Sequence, residues 1–189
     1  MSSRDAIKWD ERYRSGAETA FEAPREFLLV QAQHLPHRGL ALDLAMGLGA
    51  NAGFLIERGL RVIGVDVSEV GVRCAKQRWP SLMSAVIDLT HYRWPACSFD
   101  VILNFYYCQR DLWPRFRSML KPGGVLIMET LTIETLRTRP DYNSDYLLQP
   151  DELRCAFVDW DVLVYREGWI ELKDHAPRAV ASLVAKCPG

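Results

Sequence analysis

The sequence predicts an α/β fold: a doubly wound, mostly parallel sheet with helices on both faces. Apolar runs of four to six residues recur at Leu40–Ala45, Arg61–Val65, Ala85–Leu89, Val101–Phe105 and Val125–Met128. Helical periods fill most of the gaps between them. The runs are near-continuous rather than alternating, which marks strands buried on both faces. With 189 residues, 49% hydrophobic and 25% charged, and no internal repeat or linker, the chain is expected to form one domain over residues 1–189. Within it, residues 1–36 read as N-terminal helices and 37–189 as the core.

In chain order, the first segment, to about Gly16, places Ala6, Trp9 and Tyr13 on one helical face. Pro24 suits the first turn of a second helix, with Leu28, Ala32 and Leu35 along one side. Ala50–Arg58 follows the first strand as a helix. Ser68 reads as the N-cap of a helix reaching Arg78, with Val72, Ala75 and Trp79 inward, and Asp111–Leu120 turns Leu112, Phe116 and Met119 inward. Between Glu129 and Pro150, about 20 residues carry no clean period, and a stretch that long is either functional or misread. Pro150-Asp-Glu then opens a short helix bearing Leu153 and Phe157. The runs Val162–Tyr165 and Ala179–Ala185 have no helical pattern between them, which predicts an antiparallel hairpin closing the sheet.

Charge excludes some function classes. With 23 Lys+Arg against 24 Asp+Glu, nothing steers the chain toward nucleic acid or an anionic membrane. No apolar run approaches the ~18 residues of a spanning helix, and Met1-Ser-Ser-Arg-Asp lacks an apolar signal core, so a cytoplasmic location is expected. Cys74, Cys97, Cys108, Cys155 and Cys187 are odd in number and scattered, and are expected to be reduced and mostly buried. His34 and His37 flank a helix end at Leu35-Pro36, and no metal site is expected there.

The most informative stretch is Leu42-Asp43-Leu44-Ala45-Met46-Gly47-Leu48-Gly49-Ala50-Asn51. A strand runs into two glycines and a helix starts straight after them, where backbone can approach a ligand and unpaired N–H groups face outward. A second strand, Val62-Ile-Gly-Val65, ends in Asp66, a carboxylate able to accept from ribose hydroxyls. This order predicts a nucleoside-containing ligand. Gly47-Leu48-Gly49-Ala50-Asn51-Ala52 also satisfies the dinucleotide pattern G-x-G-x-x-A. Three features argue against a dinucleotide: Asp43 would face its pyrophosphate, Asp88 ends the third apolar run, and Leu120-Lys-Pro-Gly-Gly124 leads into the fifth.

Asp43-Leu-Ala-Met-Gly47-Leu-Gly49, Gly64-Val-Asp66-Val-Ser68, Asp88-Leu89, Phe99-Asp-Val-Ile-Leu103 and Leu120-Lys-Pro-Gly-Gly124 resemble, in order, the motifs of class I S-adenosylmethionine-dependent methyltransferases. The resemblance covers about Leu40 to Met128. The family's first loop glycine is Ala45 here, a mild change if φ is negative at that site. Flanking segments, among them Trp9-Asp-Glu-Arg-Tyr13 and Arg110-Asp-Leu-Trp-Pro, are similar to the small bacterial tellurite-resistance-type members.

The resemblance implies a Rossmann-like seven-stranded sheet of order 3-2-1-4-5-7-6 with strand 7 antiparallel, and S-adenosylmethionine as cofactor, leaving S-adenosylhomocysteine. Gly47 and Gly49 would admit the methionine moiety, Asp43 would face its ammonium end, Asp66 would hold the ribose, and Asp88 with Leu89 would contact adenine. Ala45, Asn51, Val67 and Asn104 complete the expected cofactor set.

On the acceptor side, Asn104-Phe-Tyr-Tyr107 echoes the (Asn/Asp)-Pro-Pro-(Tyr/Phe) signature of amino-group methyltransferases but lacks both prolines, so an aromatic wall is the preferred reading. Tyr106 and Tyr107 cannot both face inward from one strand. Cys108 beside Arg110 reads as packing before nucleophile. Glu129 and Thr130 close the fifth strand, while Arg137, Arg139, Tyr142, Asp145 and Tyr146 furnish a lid or a solvated cluster. Trp9 and Tyr13 form a second lid over the cofactor or an ordinary packed face. The acceptor-side candidates are Trp9, Tyr13, Tyr106, Tyr107, Arg110, Glu129 and Tyr146, with no catalytic residue assigned. The expected activity is methyl transfer to a small-molecule acceptor by a monomer or weak homodimer. An NAD(P)-dependent oxidoreductase and a cofactor-binding protein without activity remain as alternatives.

Overall fold

The computed structural model describes residues 3–15, 23–90, 92–172 and 175–189. Its centre is a seven-stranded sheet. β1 (Leu40–Leu44) lies between β2 (Arg61–Asp66) and β4 (Phe99–Phe105), with β3 (Met83–Val86) outside β2. β5 (Leu120–Leu131) pairs with β4, and β7 (His175–Lys186) runs antiparallel between β5 and β6 (Asp161–Leu172). The order is β3-β2-β1-β4-β5-β7-β6, as the resemblance implies.

Alternate residues of each central strand enter opposite cores. Leu42, Leu44, Ile102 and Met128 face α5 (Trp113–Met119) and α6 (Glu152–Ala156), where Phe116 and Phe157 are fully buried. Ala41, Val101, Leu103 and Ile127 face α2 (Glu26–Val30), α3 (Ala50–Glu57) and α4 (Glu69–Arg78) through Phe27, Leu55 and Ala75. Both faces being covered is the reason these strands read as unbroken apolar runs. α1 (Ser3–Arg14) packs on α4.

Several element boundaries differ from the sequence expectation. β3 occupies Met83–Val86 rather than Ala85–Leu89, because its single neighbour β2 ends at Asp66, opposite Val86. Asp88 therefore lies in the turn beyond the strand. The hairpin strands β6 and β7 run to twelve residues each, since an edge ladder continues through residues exposed to water that need not be apolar. The second helix is only Glu26–Val30, followed by a 3-10 turn at Ala32–His34. The segment without a period folds into 3-10 turns at Ile133–Arg137 and Ser144–Tyr146, too short to show one. All five cysteines are free thiols, but Cys97 and Cys155 are exposed, Cys74 and Cys108 half-buried, and Cys187 alone is buried. They occupy turn and outer-helix positions more often than core ones. No helix among the described residues is long and apolar enough to cross a membrane.

Candidate functional site

The loop after β1 turns three times through left-handed backbone, at Ala45 (φ 52°), Gly47 (56°) and Gly49 (75°). The condition under which alanine would be a mild change at position 45, a negative φ, is therefore not met, and an L-residue stands there at a steric cost of about 1–2 kcal/mol. Gly49 also caps α3, and a Cβ on it would lie 2.8 Å from that of Ala75. Two contacts hold the loop in place. The Met46 amide donates to the Val65 carbonyl (3.0 Å), and Asp66 accepts from the amides of Gly47 (2.8 Å) and Ser68 (2.9 Å). Burial pushes the Asp66 carboxyl up, against these hydrogen bonds and that of Val67.

Asp43, one residue before the end of β1, is a carboxyl only 1% exposed. Burial, and then the Asp66 carboxylate, push its pKa up to about 8 in spite of a hydrogen bond from the Ala52 amide. Its Oδ2 is buried without a hydrogen-bond partner, as are both amide atoms of Asn104 on the neighbouring strand. A buried carboxylate oxygen left unpartnered is costly, and a cationic ligand group is what would satisfy it. The donor set at this loop thus fits a ligand with an ammonium end.

The remaining expected cofactor residues are placed as follows. Asn51 accepts the Arg25 amide at 2.9 Å, tying the N-terminal segment to α3. Val67 is half-buried between Asp66 and Ser68, and Leu89 is buried. Asp88 accepts from the amide (2.9 Å) and hydroxyl (2.6 Å) of Thr90.

α1 is docked against this loop. Asp10 accepts from the Ser68 hydroxyl and the Val70 amide (3.2 Å), while the Ser68 hydroxyl caps α4 by accepting the Gly71 amide at 3.0 Å. Trp9 and Tyr13 stack with ring centroids 5.6 Å apart. Tyr13 reaches the loop itself: a Cβ on Gly47 would meet its hydroxyl at 2.8 Å, and one on Gly71 its ring at 3.0 Å. Burial, and then the Asp66 charge, raise the Tyr13 pKa.

A polar row crosses the last three strands of the sheet: Glu129 on β5, itself opposite Phe105, opposes Ser182 on β7, and Ser182 opposes Arg166 on β6. Glu129 is only 2% exposed and accepts from the Tyr106 hydroxyl (3.0 Å), the Arg166 guanidinium (3.0 Å) and the Ser182 hydroxyl (2.7 Å). Tyr106 has φ 55°, and the guanidinium carbons of Arg25 and Arg178 lie 4.6 and 5.7 Å from its ring centroid. Tyr107 turns to the opposite core and donates to Gln109. Arg110 forks onto Glu152 and donates to the carbonyls of Asp145 (2.7 Å) and Leu147 (2.9 Å), so it pins the following segment. Tyr146 is 56% exposed. Burial pushes the Cys108 thiol up, only partly opposed by Arg110, so the thiol is not activated.

The fold thus brings Asp43, Gly47, Gly49, Asp66 and Tyr13 to one loop, with Tyr106 and Glu129 beside it. Tyr107, Arg110 and Tyr146 serve packing, bracing or solvent. Asp10, Arg25, Arg166, Arg178 and Ser182 escaped sequence reasoning because they arrive from distant elements. Only Ser182, a polar residue at a buried position of an otherwise apolar alternation, carries a visible signal.

Residues 41–124 match the family described as Methyltransferase domain. That match and the sheet order are those of a class I S-adenosylmethionine-dependent methyltransferase domain. Among relatives of this chain, YqeM of Bacillus subtilis (strain 168), named as a methyltransferase, is 31% identical over 107 residues, 50% of this chain and 43% of that one. The chain spans less than half the length of the curated relatives it matches. TehB from Haemophilus influenzae has a similar fold, with TM-score 0.70 and 18% identity over 84% of this chain and 60% of that one. So does geranyl diphosphate C-methyltransferase from Streptomyces coelicolor A3(2), solved with Mg2+, geranyl diphosphate and S-adenosyl-L-homocysteine (TM-score 0.68, 15% identity, 86% and 78% coverage).

Proposed function

We propose that this chain transfers the methyl group of S-adenosylmethionine to a small-molecule acceptor by in-line displacement. The observation that carries the proposal is the buried, unpartnered Oδ2 of Asp43 beside the left-handed glycine loop. Asp43 would accept from the ammonium end of the cofactor, and Gly47 and Gly49 leave the backbone open to its methionine portion. Asp66, whose two oxygens each keep a lone pair beyond the loop amides, would accept from the ribose. Asp88 and Leu89 would stand at the adenine, and Asn104 has two unused amide atoms to offer. When bound, the cofactor supplies an electrophilic methyl on a sulfonium.

The residues of the chain then have orientation as their main task, and near-attack placement alone contributes ~7–11 kcal/mol. Glu129 braces rather than accepts a proton, because three donors already occupy it. The described residues before position 37 would act as a cap on the core that follows, with Tyr13 and Trp9 covering the loop and excluding water. The acceptor is a diffusible small molecule, met in the cytoplasm by a monomer or weak homodimer.

Thermal denaturation tests the cofactor. S-adenosylhomocysteine at ~100 times its dissociation constant stabilises by about 2.7 kcal/mol, a shift of several degrees, whereas NADH should give none. A larger shift with NADH overturns the proposal. Transfer of labelled methyl to a panel of thiols, amines and carboxylic acids tests turnover.

A further inference from the structure

Next to the proposed methyl-transfer site lies a cavity of about 60 Å³ that none of the residues discussed so far explains. Leu131 at the end of β5 lies on one side, Arg139 and Tyr142 on another, and Arg178 with Pro177 at the start of β7 on a third. The Thr135 hydroxyl, also on its wall, is committed to the Ala179 carbonyl at 3.1 Å. We propose that Arg178 and Arg139 hold an anionic group, a carboxylate or a phosphate, on the methyl acceptor. The proposal rests on the methyltransferase reading and adds the chemical class of the substrate.

Three observations support it. The first is like charge brought together: Arg12 and Arg25 both lose proton affinity to burial first and to the nearby Arg178 charge as a further cause, with Arg139 acting also on Arg12. Among the described residues no carboxylate bonds Arg178. Among the described carboxylates, Glu129 has its three donors, and Asp141 pairs with Arg139 at 3.6 Å from an exposed position. Guanidinium groups gathered in this way are stabilised by an anion, whose oxygens match their planar fork.

The second observation is pre-orientation. Arg178 lies over the Tyr106 ring (5.7 Å) and Arg139 over the Tyr142 ring (5.4 Å), cation–π contacts that restrain both guanidinium groups at the wall of the cavity. The third is continuity with the cofactor loop. Arg25 acts on Asp43 on one side and is repelled by Arg178 on the other, so it joins the two halves of the site. A cavity of this size takes a carboxylate or phosphate group rather than a polymer.

The test uses the full chain saturated with S-adenosylhomocysteine and titrates benzoate, phenyl phosphate and the neutral benzamide, read by NMR. Both anions, or one of them, should bind at least ten-fold more tightly than benzamide, and Arg178→Gln should weaken that binding about ten-fold or more. The affinity for S-adenosylhomocysteine should stay unchanged in the variant. Arg139→Gln, at an exposed position that folding tolerates, should give a smaller loss in the same direction. Preference for benzoate identifies a carboxylate acceptor and preference for phenyl phosphate a phosphorylated one. Benzamide binding as well as the anions, or both Arg variants binding them as tightly as the parent, overturns the proposal. Failure of S-adenosylhomocysteine to bind at all appears separately, in the cofactor titration, and removes the methyltransferase reading together with this one.

Discussion

Replacing Asp43 by Asn isolates the electrostatic consequence of ending β1 with a carboxylate. In the folded chain, burial and the Asp66 charge push its pKa from 3.8 to about 8. Below about pH 4 both folded and unfolded states hold the proton, so Asp43 costs nothing. As pH rises through the window between the two values, only the unfolded state releases it, and stability falls by about 1.4 kcal/mol per pH unit. From about pH 5 to about pH 7.5 the free protein therefore loses on the order of 3 kcal/mol through this residue. Asp43→Asn keeps the side-chain shape and removes the titration. The Tm of the variant should gain on that of the parent by about 6–12 °C across the same interval. Asp66, raised by the same burial, is present in both proteins and cancels to first order in the difference. Thermal denaturation at a series of pH values measures both curves. A cationic ligand reverses the sign: stabilisation by S-adenosylhomocysteine should grow with pH in the parent and be flat in the variant. Parallel pH–stability curves for the two proteins would refute the reasoning.

Three further substitutions test the frame around the site. Ala45→Gly relieves the left-handed strain, less the entropy that glycine adds to the unfolded chain, and should stabilise by about 0.5–1 kcal/mol in chemical denaturation. Ser68→Ala removes the cap of α4 and the hydroxyl that Asp10 accepts, costing about 1–2 kcal/mol. In that variant α1 should also lose amide-exchange protection, and unaltered protection would show that α1 is held by other contacts. Arg166→Met leaves the buried Glu129 without its charge partner and should cost about 3 kcal/mol at neutral pH, most of it restored by adding Glu129→Gln.

The sheet was legible because its strands are buried on both faces, so continuous apolar runs sit within a residue or two of the observed β1, β2 and β4. β3 and the hairpin were less so: at the sheet edges water faces the backbone, and composition no longer marks where pairing stops. The glycine loop and Asp43, Asp66 and Ser68 were readable because local backbone demands dictate their residue types. The arginines were not. Arg25, Arg166 and Arg178 acquire meaning only when a loop, an edge strand and a hairpin meet over Tyr106 and Glu129, and an arginine near a strand end otherwise reads as a solvated charge. The cost of Ala45 stayed open for a related reason, since the identity of a residue does not reveal the sign of its φ.

The row from Phe105 through Glu129 and Ser182 to Arg166 also bears on how the terminal hairpin finds its alignment. β6 lies at the sheet edge with no buried side chain from Asp161 to Glu171, so packing alone distinguishes one pairing offset from the next only weakly. A slip of one residue sets Glu167 or Tyr165, instead of Arg166, opposite Ser182. Directly opposed residues share a face, so Glu167 would then bring a second carboxylate against the buried Glu129. The ion row thus favours the native strand registration, a selectivity that the solvent-facing side chains of the outermost strand supply only weakly.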